Sequence, residues 1–225
     1  MDARAVQLRP WKRRHLHLLL TDPPYGVEYD PKWRLRWQLE GAKTKRGEIA
    51  ADDRSDWTDA YRLIPCDVAY VWHAAVHAGL VQAGLEEAGF DVRYQVIWRK
   101  SHAPMSRGAY HWQHEPCWYA VRRGKTARWT GDRKQTTVWD ATSPIAIYGM
   151  RADEERTQHA TQKPLDLYER AIRNHTRAGE VIFDPFAGAG TAMIAAERLG
   201  RRAAMIELDP RWCDLIRDRY ERRHT

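Results

Sequence analysis

The segment EVIFDPFAGAGTAMIAAERLGRRAAMIELDP, residues 180–210, constrains the chain most. EVIFDPF is short, apolar and β-branched, and it runs into the Gly-rich turn GAGT; AMIAAERLG follows as a helix closed by Gly200, and AAMIEL returns as a second apolar strand. Strand, tight turn, helix and strand make a βαβ unit, whose strands are buried only inside a parallel sheet covered by helices. Asp209 and Pro210 then open a last helix with Trp212, Leu215, Ile216 and Tyr220 as its expected apolar face.

The rest of the chain alternates in the same way. HLHLLL (15–20) reads as a buried strand stopped by the Pro-containing turn that follows Thr21, and VAYVW (68–72) as another. Residues 30–57 carry charges and Gly without sustained apolar periodicity, a long surface loop with room for one helical turn. AAVHAGLVQAGLEEAGF is mostly helical and ends near Gly89, whereas VRYQVIW (92–98) and CWYAVRRG (117–124) are strands rich in aromatic and β-branched residues. Residues 125–160 are polar and irregular apart from TTVW; from Pro164 the spacing Leu165, Tyr168, Ala171, Ile172, His175 marks one helix face. The class is α/β.

With 225 residues and 43% hydrophobic content, one core is the expectation, hence a single domain over 1–225. Thirty-seven Lys and Arg against 30 Asp and Glu leave a formal charge of +7, which favours a polyanionic partner. Cys66, Cys117 and Cys213 are odd in number and form no C-x-x-C pair, against a disulfide framework or zinc site and in favour of a reducing cytoplasm. The apolar runs are too short to span a membrane, and MDARAVQLRPWKRRH lacks a signal-peptide core, so a soluble protein with no membrane partner is expected.

In FDPFAGAGT, Gly188 and Gly190 allow close approach of backbone to ligand, and the helix that follows offers free N–H groups. Glu207 ends the next strand, 17 residues after Gly190, where a carboxylate can accept both hydroxyls of a ribose. The glycines alone fit an unliganded strand-to-helix turn equally well. The spacing is G-x-G-T, not G-x-G-x-x-G, so a dinucleotide is poorly supported.

FAGAGT resembles the S-adenosylmethionine motif, TDPPYG (21–26) the catalytic motif, and ATQKP (160–164) the cofactor-flanking motif of the amino DNA methyltransferases, which act on adenine N6 or cytosine N4. The order, catalytic segment first, is similar to the permuted β class, and the resemblance runs from residue 16 to 222. HWQHEPCWYAVRRG (111–124) also resembles a segment of phage and prophage-type members. The resemblance implies a Rossmann-like fold with a mostly parallel seven-stranded sheet and an antiparallel strand at one edge. It implies S-adenosyl-L-methionine as cofactor, held by Asp184, Phe186, Gly188, Gly190, Thr191, Glu207, Gln162, Lys163 and Pro164, and catalysis by Asp22, Pro23, Pro24 and Tyr25. The permutation requires the strand before Asp22 to lie beside the C-terminal βαβ unit, so that both sites open at one sheet rim.

An exocyclic amine on a base is a poor nucleophile because its lone pair is delocalised into the ring. The Asp22 carboxylate and the Pro23 carbonyl can each accept one N–H, which draws the nitrogen towards a tetrahedral shape. Proline fixes the backbone that aims the carbonyl, Pro24 keeps the turn rigid, and Tyr25 offers a face for the base, a stack worth ~1–3 kcal/mol. A base inside a duplex must be flipped at a cost of a few kcal/mol.

HWQHEPC invites a zinc reading that fails, because Ala120 stands where a second Cys is needed; His114 and Glu115 are placed near the rim and Cys117 in a strand, with no metal. DNA-contact candidates form two groups in which basic and aromatic residues interleave. One holds Lys32, Arg34, Arg36, Lys43, Lys45 and Arg46 beside Trp33 and Trp37; the other holds Arg99, Lys100, Arg107, Tyr110, Trp112, Arg128, Trp129, Arg133 and Lys134. By resemblance, target recognition falls at about 100–156, a short region that implies a short site or help from a second subunit, as in a homodimer. The sequence names no restriction partner. The leading expectation is a DNA methyltransferase acting on adenine N6, because family members acting on cytosine N4 more often carry Ser where Asp22 stands. An RNA base substrate and a catalytically silent DNA-binding subunit are the alternatives.

Overall fold

The computed structural model describes residues 16–27, 51–103, 109–144, 157 and 162–224. Seven strands form one sheet: β1 (Leu18–Thr21), β2 (Val68–Trp72), β3 (Phe90–Lys100), β4 (His114–Arg122), β5 (Val138–Ala141), β6 (Val181–Asp184) and β7 (Arg202–Met205). The helices are α1 (Thr58–Leu63), α2 (Ala78–Glu87, entered through a 3-10 turn at Ala75–His77), α3 (Leu165–His175), α4 (Thr191–Arg198) and α5 (Pro210–Glu221). The strand order is β5-β3-β4-β2-β1-β6-β7.

β1, β2 and β6 are buried along their whole lengths, as an apolar run covered on both faces must be. Alternation divides them: Leu18 and Leu20 face one core with Tyr70, Trp72 and Ile182, while Leu19 faces the other with Val71 and Phe183. α3 and α4 fill the first core through Leu165, Tyr168, Ala171, Ile172 and Met193; α1 and α2 fill the second through Tyr61, Val81 and Leu85. Each such leucine contributes roughly 1.5–3 kcal/mol. Among the described helices none is long and apolar enough to cross a membrane.

The N-terminal strand lies beside the C-terminal unit, as the motif order requires: β1 pairs in parallel with β6 through Leu18–Ile182 and Leu19–Phe183, and with β2 on its other side. From β1 the chain proceeds one way to β2, and from β6 the other way to β7. The crevice between the carboxyl ends of β1 and β6 is therefore a topological switch point, the usual ligand site of such sheets.

Two expectations are corrected and one element is added. The antiparallel strand is not at an edge: it is β4, between β2 and β3, and the edge strand β5 runs parallel to β3. β4 is paired along both its sides, Val71–Trp118 with β2 and Gln95–Trp118 with β3, and its Cys117, Ala120 and Val121 are buried. α1 is a helix that no periodicity announced, at six residues too short to show one. On α5, Tyr220 is 48% exposed and Arg219 is buried instead, because its guanidinium reaches the Ala189 carbonyl in the Gly-rich turn.

Candidate active site

At the switch point Thr21 ends β1 and Asp184 ends β6, and the Thr21 hydroxyl donates to Asp184 Oδ1 at 2.6 Å. The Phe186 N–H donates to the same oxygen at 3.1 Å. Burial pushes the Asp184 carboxyl up to about 7, with these two donors offsetting part of the rise.

The turn after Thr21 is held from outside. Trp57 Nε1 donates to the Pro24 carbonyl at 2.9 Å, while its ring meets Phe186 edge to face at 4.7 Å, so one side chain ties the Asp-Pro-Pro-Tyr turn to the Gly-rich turn. His77 Nδ1 donates to the Tyr25 carbonyl at 2.7 Å, and buried Asp52 accepts the Gly26 N–H at 3.0 Å. Gly26 is required there: its φ is +66°, and a Cβ would fall 2.6 Å from the Arg54 backbone. Two acceptors of the turn remain unclaimed among the described residues, the Pro23 carbonyl and the buried Asp22 Oδ1.

The other oxygen of Asp22 is paired. Lys163, 4% exposed, places Nζ 2.5 Å from Asp22 Oδ2, 3.0 Å from Glu115 Oε2 and 3.1 Å from the Tyr25 hydroxyl. Glu115 Oε1 in turn meets Lys100 Nζ at 2.6 Å. Burial raises the Asp22 carboxyl above the usual range, and Lys163 works against that rise. Burial also opposes the charged form of Glu115, but Lys163 and Lys100 outweigh it and hold the carboxyl at about 2. For Lys163 burial is likewise overcome, by Asp22 and Glu115, and the ammonium is held above its ordinary value. Burial lifts the Tyr25 phenol well above its ordinary value, so it stays protonated, and its ring takes the Lys163 ammonium 5.2 Å from the centroid.

Lys163 thus belongs to the acid cluster of Asp22. Its neighbour Gln162 turns elsewhere and accepts the N–H and hydroxyl of Thr157, each at 2.8 Å; Pro164 caps α3. In the Gly-rich turn Gly188 has φ +49° and Gly190 φ +76°. Gly190 is needed for packing whether or not a ligand is bound, since a Cβ there would lie 2.9 Å from Ile216 Cγ1 on α5. Thr191 is buried as the first residue of α4. Glu207 is clamped by two backbone donors, Gly188 N–H on Oε2 at 2.7 Å and Asp209 N–H on Oε1 at 2.9 Å. Each oxygen keeps a lone pair for a further donor, which fits a ribose diol.

The DNA-contact candidates divide. Lys32, Arg34, Arg36, Lys43, Lys45, Arg46 and Arg107 lie outside the described residues. Tyr110 (90% exposed) and Trp112 (52%) sit in the β3–β4 connection, at the same rim as Asp22. Lys100 is turned inward onto Glu115, and Arg99 forms a two-pronged pair with Asp140. Arg128, Arg133 and Lys134 are not brought to the site. Because β4 runs antiparallel, the chain leaves it at the opposite sheet end, where Arg128 pairs with Glu180 just before β6. Among the described residues no group of three or more His, Cys, Asp or Glu could hold a metal.

From sequence Glu115 is placed only near the rim and Lys100 among the DNA contacts, and nothing local gives a role to Trp57, His77 or Asp52. A carboxylate at the mouth of the otherwise apolar β4 was the one available signal for Glu115.

The chain is 24% identical over 244 aligned residues to the type II methyltransferase M2.DpnII of Streptococcus pneumoniae, covering 95% of this chain and 85% of the relative. In fold it is similar to M1.HpyAVI solved as its SAM complex, with TM-score 0.65, 21% identity and coverage of 92% and 89%. It is also similar to TTHA0409 of Thermus thermophilus, assigned as a DNA modification methylase and solved with S-adenosyl-L-methionine, with TM-score 0.58, 27% identity and coverage of 98% and 91%. Residues 16–218 match the family model N6_N4_Mtase, described as DNA methylase, and the chain belongs to that family.

Proposed function

We propose that the chain methylates an exocyclic amine of a flipped DNA base, adenine N6, using S-adenosylmethionine. The observation that carries this reading is the pair of unclaimed acceptors, Asp22 Oδ1 and the Pro23 carbonyl, on a turn whose Pro24 and Tyr25 carbonyls are tied by Trp57 and His77. An amine has two N–H groups, and two acceptors held on a rigid turn take both and localise its lone pair. Bound S-adenosylmethionine supplies an activated methyl group. Glu207 would hold its ribose, and Gly188, with φ +49°, would let the backbone turn close to it. The relatives that bind this cofactor or modify DNA support the reading. Adenine is preferred to cytosine because Asp22, not Ser, opens the tetrad.

A homodimer is supported by the short span between β3 and α3, and a cytoplasmic setting by three free cysteines, two of them buried. The phage-type reading of residues 111–124 rests on that stretch alone.

The test is Asp22→Ala with radiolabelled cofactor and duplex DNA. Transfer is expected to fall by at least about 10²–10³-fold, with cofactor affinity by calorimetry close to that of the unaltered chain. Equal activity in the two proteins refutes the assigned role. Digestion of the product to nucleosides and mass spectrometry then separates N6-methyladenine from N4-methylcytosine, and an RNA oligonucleotide in parallel tests that alternative.

A further inference from the structure

The Lys163 ammonium has three N–H groups and three partners: Asp22 Oδ2, Glu115 Oε2 and the Tyr25 hydroxyl. It is a tripod with no donor left over. Asp22 Oδ1 stays bare beside it, although an ammonium released from one leg could bridge both oxygens of the same carboxylate. Two of the legs stand on groups the turn itself supplies, since Asp22 and Tyr25 are three residues apart. The third comes from β4 and is anchored from β3, where Lys100 grips the far oxygen of Glu115 at 2.6 Å. Glu115 and Lys100 are brought together by the antiparallel pairing of those strands, with Trp98 opposite Glu115 and Arg99 opposite His114.

We infer that Glu115, braced by Lys100, is a positioning residue that holds Lys163 on one oxygen of Asp22 and so keeps the other free for the amine of the target base. The inference rests on the proposed function. Glu115 acts on Asp22 through Lys163 at 3.0 Å, and the Tyr25 hydroxyl donates to the same oxygen, Oε2, at a longer 3.4 Å. Its second effect is electrostatic. The ionisable groups facing Asp22 are Lys163 from the segment before α3, Glu115 and Cys117 from β4, Tyr25 from its own turn, Tyr168 from α3 and Asp184 from β6. Of these Lys163, and to a lesser degree the Tyr25 hydroxyl, favour the Asp22 carboxylate, and Glu115 opposes it.

Two substitutions must therefore move the acid limb of the rate profile in opposite directions. Glu115→Gln keeps the shape and one acceptor while removing the charge. It is expected to lower kcat up to about a hundred-fold, leave cofactor affinity unchanged, and shift the acid limb to lower pH. Lys163→Met is expected to shift it to higher pH. Lys100→Met, which leaves the tripod atoms in place but loosens Glu115, is expected to lower kcat in the same sense as Glu115→Gln. Rates are measured in single turnover from pH 5 to 9 with saturating DNA, alongside cofactor calorimetry. A Glu115→Gln acid limb that stays in place or moves up overturns the inference, and so does an unchanged kcat. Asp22→Ala in the same series keeps the two ideas apart: an inactive Asp22→Ala protein together with unshifted limbs in Glu115→Gln and Lys163→Met sinks the inference alone, whereas a fully active Asp22→Ala protein sinks the proposed function as well.

Discussion

Replacing Gly190 by Ala separates what a glycine does for the fold from what it does for a ligand. The residue caps α4 with φ +76° and ψ 29°, in the left-handed region that costs a residue with a Cβ about 1–2 kcal/mol. The added methyl would also fall 2.9 Å from Ile216 Cγ1 and 3.6 Å from Cγ2, an overpacking of the α4–α5 contact that costs roughly 1–3 kcal/mol. The lower entropy of the unfolded Ala chain offsets about 0.4–1 kcal/mol. A net loss of ~2–4 kcal/mol is expected, which for a domain of this size lowers Tm by roughly 4–16 °C. Gly179 is the control: its φ is +80° but nothing lies within 4 Å of a Cβ there, so Gly179→Ala carries the backbone strain alone. Urea unfolding without cofactor, on Gly190→Ala, Gly179→Ala, Ile216→Ala and the Gly190→Ala/Ile216→Ala pair, reads the difference. Removing the Ile216 branch should return part of the Gly190→Ala loss, a coupling on the order of 1–3 kcal/mol. Equal losses at Gly190 and Gly179, or no coupling to Ile216, would refute the packing argument and leave ligand approach as the reason for this glycine.

Asp184 gives a pH test. Its carboxyl is pushed up to about 7 in the fold, against 3.8 as the ordinary value, so the stability that goes with the neutral acid is whole below the lower figure and is lost as pH rises through the upper one. Asp184→Asn does not titrate and should gain on the unaltered chain between pH 4 and 8, by at most about 4 kcal/mol; a constant gap in urea midpoints across that range contradicts the assignment. Removing the charges of Arg133 and Lys134 together should leave the slope of log affinity for DNA against log salt unchanged, because both lie at the sheet end away from Asp22. A drop of about one per charge removed would place them on phosphates after all.

Much of the scaffold was legible because its signals are local. The apolar runs of β1, β2 and β6, the Gly-rich turn, and the α3 face Leu165, Tyr168, Ala171, Ile172 and His175 follow from periodicity and turn chemistry within a few residues. The motif order even required β1 to pair with β6, and it does. The resemblance of TDPPYG to a catalytic motif names Asp22 and Pro23 as an acceptor pair; in the structure Asp22 Oδ1 has no donor, while Oδ2 is taken by Lys163.

The surroundings of that pair were not legible. Tyr220 lies where the α5 period called for burial, yet Arg219 took the buried place because a carbonyl of the Gly-rich turn, 30 residues away, needed a donor. Lys163 and Asp22 are separated by 141 residues and Lys163 and Tyr25 by 138, and no pattern in either neighbourhood says that they meet. Lys100 and Glu115 look like ordinary strand-end charges until the antiparallel β4 is set between β2 and β3, and the same reversal carries Arg128 to the far end of the sheet. Side-chain period and turn type depend on near neighbours along the chain, so residue order determines them. Which charges share a buried pocket depends on strand order and register, and those are decided when the whole sheet closes over its two cores.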